Sequence, residues 1–236
     1  IRISVPRGDR STCSGPAGSG KTTTLACLVD HVNSTREAHV VTIEDPIEYL
    51  HQHKMSVVTQ RELYTDTASY DAALRAALRE APDIILLGEM RDAETIKAAV
   101  TAAETGHLVI STLHTIGAAN TVDRIVDAFP PAQQQQIRTQ LALVLEGVVS
   151  QQLLQAEDGA QVPAFEVMTV NPAVRNMIRE SKAFQLDSVI ASSSQEGMVT
   201  MDQSILELVR GGRVSRDTAL RHASNPDWLE KRLSSL

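Results

Sequence analysis

Apolar residues in this chain fall into short runs separated by stretches with helical spacing, and that alternation predicts a parallel β-sheet covered by helices. His39–Ile43 (HVVTI), Asp83–Leu87 (DIILL) and Leu108–Thr112 (LVIST) read as buried strands. Ser69 is placed to cap a helix in which Tyr70, Ala73, Leu74, Ala77 and Leu78 recur at i, i+3, i+4, i+7 and i+8. The next helix, about Ala93 to Thr105, stops at Gly106, which suits the left-handed position beyond a helix C-terminus. After Pro130-Pro131 the pattern predicts a long helix, roughly Ala132 to Gln151, and then a strand pair within Leu153 to Val170 that turns at Asp158-Gly159 and ends the sheet. From Pro172 onward the chain is helical and charged, with breaks at Ser192–Gly197, Gly211-Gly212 and Asn225-Pro226. The expected division is an α/β core over residues 1–170 and a small C-terminal helical subdomain over 171–236.

Composition narrows this picture. A chain of 236 residues that is 42% hydrophobic can bury one large core, or one core and a small appended unit. Its apolar runs, such as Ile84–Leu87 and Leu108–Ile110, fall far short of the roughly 20 residues that cross a bilayer. Neither a membrane span nor a signal peptide is expected. The chain opens Ile1-Arg2-Ile3 without methionine, so an upstream domain is expected to precede it. A net charge of −7 and only 3% aromatic residues argue against nucleic acid as the main partner. Cys13 and Cys27 form no CxxC pair, which argues against zinc and reads as two reduced cytosolic thiols.

The chemistry is concentrated in Gly15-Pro16-Ala17-Gly18-Ser19-Gly20-Lys21-Thr22, a full match to GxxxxGK[ST]. Glycines at 15, 18 and 20 let successive N–H groups converge on phosphate oxygens, and the following helix adds the positive end of its dipole. Lys21 then reaches the β and γ phosphates, and the Thr22 hydroxyl ligates Mg²⁺. Acidic residues stand where strands end, which is where ligands bind in open α/β sheets. Glu44 follows HVVTI and is placed to orient or deprotonate an attacking water, or else merely to cap a turn. Glu89 follows DIILL as a Walker B acid follows its strand, and would hold Mg²⁺ through water or assist the base. His107 and His114 flank the third strand. His114 would emerge at the same crevice as a sensor of the terminal phosphate, although a lone histidine at a strand end is more often a structural hydrogen-bonder. Arg61, Arg79, Arg91 and Arg124 are candidate subunit-bridging cations that spacing does not separate. One feature runs against expectation: Pro6–Ser14, where an apolar strand should lead into the loop, is polar. Asp9, Arg10 and Ser11 suit a buried central strand poorly, so an irregular lead-in or a join across missing residues is expected there.

In order, GPAGSGKT, TIEDPIEY, DIILLGEMRD and GHLVISTLHT resemble the secretion ATPases of type II secretion and type IV pilus systems. The resemblance runs from about residue 15 to 210, and QRELYTDT, ALREAPD and TAAETGH fit between the motifs. Ala173–Glu180 (AVRNMIRE) is similar to the AIRNLIRE motif of the retraction branch, and two cysteines cannot supply the tetracysteine zinc insert of the assembly and secretion branches. Read by spacing alone, AVRNMIRE is an ordinary amphipathic helix with Val174, Met177 and Ile178 inward and Arg175, Arg179 and Glu180 solvated. The resemblance implies a RecA-like P-loop ATPase core that binds ATP and Mg²⁺. Its phosphate-binding set is Gly15, Pro16, Ala17, Gly18, Ser19, Gly20, Lys21, Thr22 and Thr23, with Thr22 and Glu89 at the metal. Glu44 becomes the catalytic carboxylate, Glu89 the Walker B acid, and His107 and His114 a histidine box. It further implies a homo-hexamer with a PAS-like domain upstream, working at the cytoplasmic face of the inner membrane on a pilus platform protein to retract pili. The alternatives are a pilus assembly or type II secretion motor, a noncatalytic nucleotide-gated ring module, and a RecA-like DNA translocase.

Overall fold

The computed structural model describes residues 11–235. Its elements run β1 (Ser11–Ser14), α1 (Lys21–Thr35), β2 (His39–Glu44), β3 (Val57–Glu62), α2 (Tyr70–Ala77), β4 (Ile84–Leu87), α3 (Ala93–Glu104), β5 (Leu108–Leu113), α4 (Ala118–Asp127), α5 (Pro131–Val144), β6 (Gly147–Gln155), β7 (Gln161–Thr169), α6 (Pro172–Arg179), α7 (Leu186–Ser192), α8 (Met201–Arg210), α9 (Arg216–His222) and α10 (Pro226–Leu233). The strands form one seven-stranded sheet in the order β3-β2-β4-β5-β1-β6-β7. Every pairing is parallel except that of β6 with β7, so the expected mostly parallel α/β sheet is what forms.

Side chains along a strand point alternately to opposite faces, and both faces here are covered. Val41 and Ile43 of β2, Ile85 and Leu87 of β4, and Val109 and Leu113 of β5 enter a large cluster built with α2 to α7. Their neighbours Val40, Ile84, Leu86, Leu108 and Ile110 turn the other way and meet Leu25, Val29 and Val32 of α1. By the same period, Thr42 and Glu44 continue the face that α1 covers, which brings Glu44 to the helix that follows the glycine loop. At about 1.5–3 kcal/mol for each fully buried Val, Leu or Ile, this burial is what holds α1 and its loop to the sheet.

The C-terminal helices divide their packing. Val174 and Ile178 of α6 and Leu186 and Ile190 of α7 belong to the large cluster, whereas Met201, Ile205, Leu206 and Leu229 of α8 and α10 pack on Leu154, Val162 and Ala164 of β6 and β7. The expected breaks lie between these helices. In α6, Arg175 departs from its expected solvated position: Nη1 donates to Ala142 O at 2.7 Å and Leu143 O at 3.0 Å, satisfying carbonyls at the end of α5. Among the described residues no helix is long and apolar enough to cross a membrane.

Local signals were mostly followed. Ser69 Oγ accepts from Ala72 N at 3.1 Å, Gly106 takes φ 101°, and Gly159 takes φ 81° in the β6–β7 turn. Three expectations need correction. The helix after Pro130 ends at Val144 rather than near Gln151, because Leu145 is extended and residues 147–150 find ladder partners in β1 on one side and β7 on the other. β3 is an additional edge strand, its burial too uneven to announce itself. Ser11–Ser14 does form a strand, between β5 and β6, with backbone pairing on both sides. Pro6–Arg10 lies outside the described residues.

Candidate functional site

β1 delivers the glycine loop to the carboxyl edge of the sheet. There the backbone approaches β6 more closely than any side chain would allow: a Cβ on Gly15 would meet Gln151 O and Ser19 Oγ at 2.5 Å, and one on Gly20 would meet Gln151 Nε2 at 2.9 Å. Gly18 and Gly20 also take positive φ, at 74° and 83°. Gly20 forms the N-cap of α1 with no side-chain cap, which leaves the helix start as an anion-binding end. Ser19 Oγ is buried without a hydrogen-bond partner among the described residues. Lys21 is 8% exposed, and its ammonium donates to Gly15 O at 2.7 Å and Pro16 O at 2.9 Å. Behind the loop, Thr24 Oγ1 donates to Gln151 Oε1 at 2.7 Å and ties α1 to β6.

Strand register assembles the other side. Ile43 aligns with Leu87 and Leu87 with Ser111, so Glu44, Gly88 and Thr112 emerge side by side. Gly88 N donates to Ile43 O at 2.8 Å, and Thr112 Oγ1 donates to Gly88 O at 2.5 Å, which fixes the backbone that carries Glu89. The Glu44 carboxylate accepts from Thr42 Oγ1 at 2.6 Å and from Gln60 Nε2 at 3.2 Å, both on one oxygen. Glu89 meets His114 Nε2 at 3.2 Å through one oxygen and accepts from Arg91 Nε at 2.7 Å through the other. His114 Nδ1 lies 3.5 Å from Lys21 Nζ. Lys21, His114, Glu89 and Arg91 thus form a continuous polar chain from the glycine loop to the rim, where Arg91 Nη1 stands 3.9 Å from Asp45.

These groups line a cleft of about 440 Å³ together with Thr22, Thr23, Glu48, Tyr49 and Tyr70. Thr22 Oγ1 donates to Glu48 Oε1 at 3.3 Å, and Thr23 Oγ1 lies 3.0 Å from the Tyr49 hydroxyl. Burial, followed by the charge of Asp45, pushes the Tyr70 phenol up to about 12, so it stays neutral beside the carboxylates. The hydrogen bond and charge of Glu89 raise the Arg91 guanidinium further above its ordinary value.

The expected residues are therefore not all brought together. Ala17–Thr23, Glu44, Glu89 and His114 share the cleft, Gly15 and Pro16 lie behind its lining with their carbonyls on Lys21, and of the four candidate arginines Arg91 reaches it. Arg61 instead pairs with Glu80 at 2.5 Å. His107 lies at the amino end of β5, a strand-length of about 20 Å from the cleft, with Nδ1 3.1 Å from Ala102 O and from Thr105 Oγ1. Sequence reasoning missed Thr42, Gln60, Glu48, Tyr70 and Gln151. Glu48 and Tyr49 stand within the TIEDPIEY motif and were findable there. Gln60 and Gln151 come from strands that only the sheet order brings near.

The cradle fits a nucleotide phosphate, since its glycines take positive φ, the start of α1 has no side-chain cap, and Ser19 in the same loop keeps a buried hydroxyl without a partner among the described residues. Among the described residues no group of three or more His, Cys, Asp or Glu side chains is placed to hold a metal ion by itself. A P-loop magnesium fits this donor set, because it takes a hydroxyl, waters and phosphate oxygens rather than a protein cage.

Residues 11–223 match the family described as Type II/IV secretion system protein. The chain is 53% identical over 223 residues to a twitching motility protein of Neisseria gonorrhoeae, covering 94% of this chain and 59% of that protein. It is 50% identical over 223 residues to the type IV pilus retractation ATPase PilT of Pseudomonas aeruginosa, covering 94% of this chain and 64% of that one. The crystal structure of the pilus retraction motor PilT with bound ADP superimposes with a TM-score of 0.89 at 46% identity, covering 96% of this chain and 64% of that one. The chain thus spans about three fifths of the length of the relatives it matches. With the family matched over residues 11–223 and the whole described fold superimposing on that of a pilus retraction motor, the chain belongs to the Type II/IV secretion system protein family and has its α/β ATPase fold.

Proposed function

We propose that this chain is the ATP-hydrolysing part of a homo-hexameric motor that retracts type IV pili. The observation that carries the reading is the single cleft where Lys21, Glu44, Glu89 and His114 meet, in a chain that is 50–53% identical to twitching motility and pilus retraction proteins. ATP would seat its phosphates on the amides of Gly15–Thr22 and the Lys21 ammonium. Magnesium, held by Thr22 and through water by Glu89, would neutralise charge on the terminal phosphates. Glu44, oriented by Thr42 and Gln60, would hold the attacking water in line with the phosphoryl group, while Lys21 and His114 stabilise the charge that develops on it. An arginine from a neighbouring subunit would add roughly 10³ to 10⁵ in rate, so separated chains should hydrolyse ATP slowly.

An upstream domain would complete the site between subunits, and hydrolysis would change its angle to residues 1–170 and the helical part, 171–236. The ring would work at the cytoplasmic face of the inner membrane on the pilus platform. The likeness of α6 to the retraction-branch motif favours retraction over assembly, and an intact Glu44 and Glu89 favour a working enzyme over a noncatalytic ring module. Cells lacking the protein are expected to be overpiliated and unable to retract. Bald cells would reassign it to assembly, and unchanged piliation and retraction would remove it from pilus work.

A further inference from the structure

Glu166 is a buried carboxylate that the cleft chemistry above does not use. It stands on β7, 6% exposed, directly across the ladder from Ser150 of β6. Both side chains hold the same turn: Ser150 Oγ accepts from Gly117 N at 2.9 Å, and Glu166 Oε1 accepts from Ala118 N at 2.7 Å. That turn is the short connection from His114 to α4, and Gly117 passes through it at φ 89°. α4 has no side-chain cap of its own and no acidic residue in its first turn, so a strand some fifty residues further along supplies the cap. The amide of Met201, the first residue of α8, also stabilises the Glu166 charge. One carboxylate therefore supplies the cap of the helix that leaves the cleft. A buried charge of this kind is costly to keep unless its partners are fixed. Burial raises its proton affinity here, Asp187 and Asp202 add to that, and the two amides oppose it.

We propose that Glu166 is a positioning residue for the ATPase reaction: with Ser150 it fixes the turn that carries His114 against Lys21 and Glu89. The inference rests on the reading of His114 given above. Because the groups Glu166 holds are the backbone of the His114 turn, loss of Glu166 should be felt only while His114 is present to be misplaced.

A double-mutant cycle in the full, assembled chain tests this. Glu166→Ala is expected to lower kcat about 10-fold with the ADP dissociation constant unchanged within about twofold, His114→Ala to lower kcat at least as far, and the double variant to be no slower than His114→Ala alone. Glu166→Gln keeps an acceptor for Ala118 and should recover most of the lost kcat. Should Glu166→Ala fail to fold, Ser150→Ala removes the adjoining acceptor at little cost in volume and gives the same cycle. Losses that multiply in the double variant, an unchanged kcat, or a parallel loss of ADP affinity would overturn the inference alone. Wild-type turnover in His114→Ala would strike down the reading of the cleft as well.

Discussion

Strand β5 carries a histidine beyond each end, and the two have opposite fates. His107, at the amino end, is absorbed by the end of α3, facing Ala102 O and Thr105 Oγ1. His114, at the carboxyl end, stands between Lys21 and Glu89. The residue type and the strand are shared, and what differs is the edge of the sheet on which each emerges. In a parallel sheet all carboxyl ends lie together, so the glycine loop, the acids and His114 meet there by topology. At the amino ends the chain is arriving from helices, and a polar side chain finds helix-terminal carbonyls to satisfy.

Substitutions can sharpen that contrast. The largest effect is expected at a carboxyl end: Glu44→Gln should keep ATP bound and slow hydrolysis at least ~10²-fold, the scale of a lost acid or base. Near-normal turnover in a steady-state assay would remove Glu44 from that role. His114→Ala should cost about 10-fold or more in kcat, whereas His107→Ala should leave kcat within about twofold and cost about 1 kcal/mol of stability for its lost hydrogen bond. Equal rate losses at both positions, measured side by side, would erase the distinction between the two edges.

The smallest effect is one of pH. Burial raises the carboxyls of Glu166 and Asp187 above their ordinary 4.5 and 3.8, so each binds its proton more tightly in the folded chain than in the unfolded one. Stability from that source is fully present below the ordinary value and is lost as pH rises through the folded value. Glu166→Gln cannot ionise, so its melting temperature relative to wild type should shift in the variant's favour by a few degrees between about pH 4 and pH 7. A difference that stays constant across that range would mean Glu166 does not titrate as its burial requires.

The parts of the molecule legible in the sequence are those whose signal is local. HVVTI, DIILL and LVIST are apolar on both faces, and Ser69, Gly106 and Asp158-Gly159 punctuate the chain with turn and cap chemistry. The glycine loop and the acids beside it are contiguous motifs. The parts that were not legible depend on neighbours distant in sequence. Ser11–Ser14 is a central strand made of small polar residues, held by ladders to β5 and β6 that no window of sequence contains. Val148–Gln151 (VVSQ) reads as the tail of a helix, because a short apolar run with polar gaps satisfies either period until its strand partners are known. Gln60, Gln151 and Glu166 act on the cleft or its supporting turn from β3, β6 and β7, and only the sheet order makes them neighbours.

The alternation of faces along β2 has a consequence for how such a chain can change over generations. Glu44 faces α1 because it lies an even number of residues from Val40. One residue inserted within that strand would turn Glu44 toward α2 and α3 and send Ile43 the other way, exchanging a carboxylate and an isoleucine between cleft and interior. Insertions of equal size in the turn at Asp158-Gly159 would disturb neither. Length is thus free to drift at the far hairpin, while the spacing within β2 is as much a part of the chemistry as the glutamate it delivers.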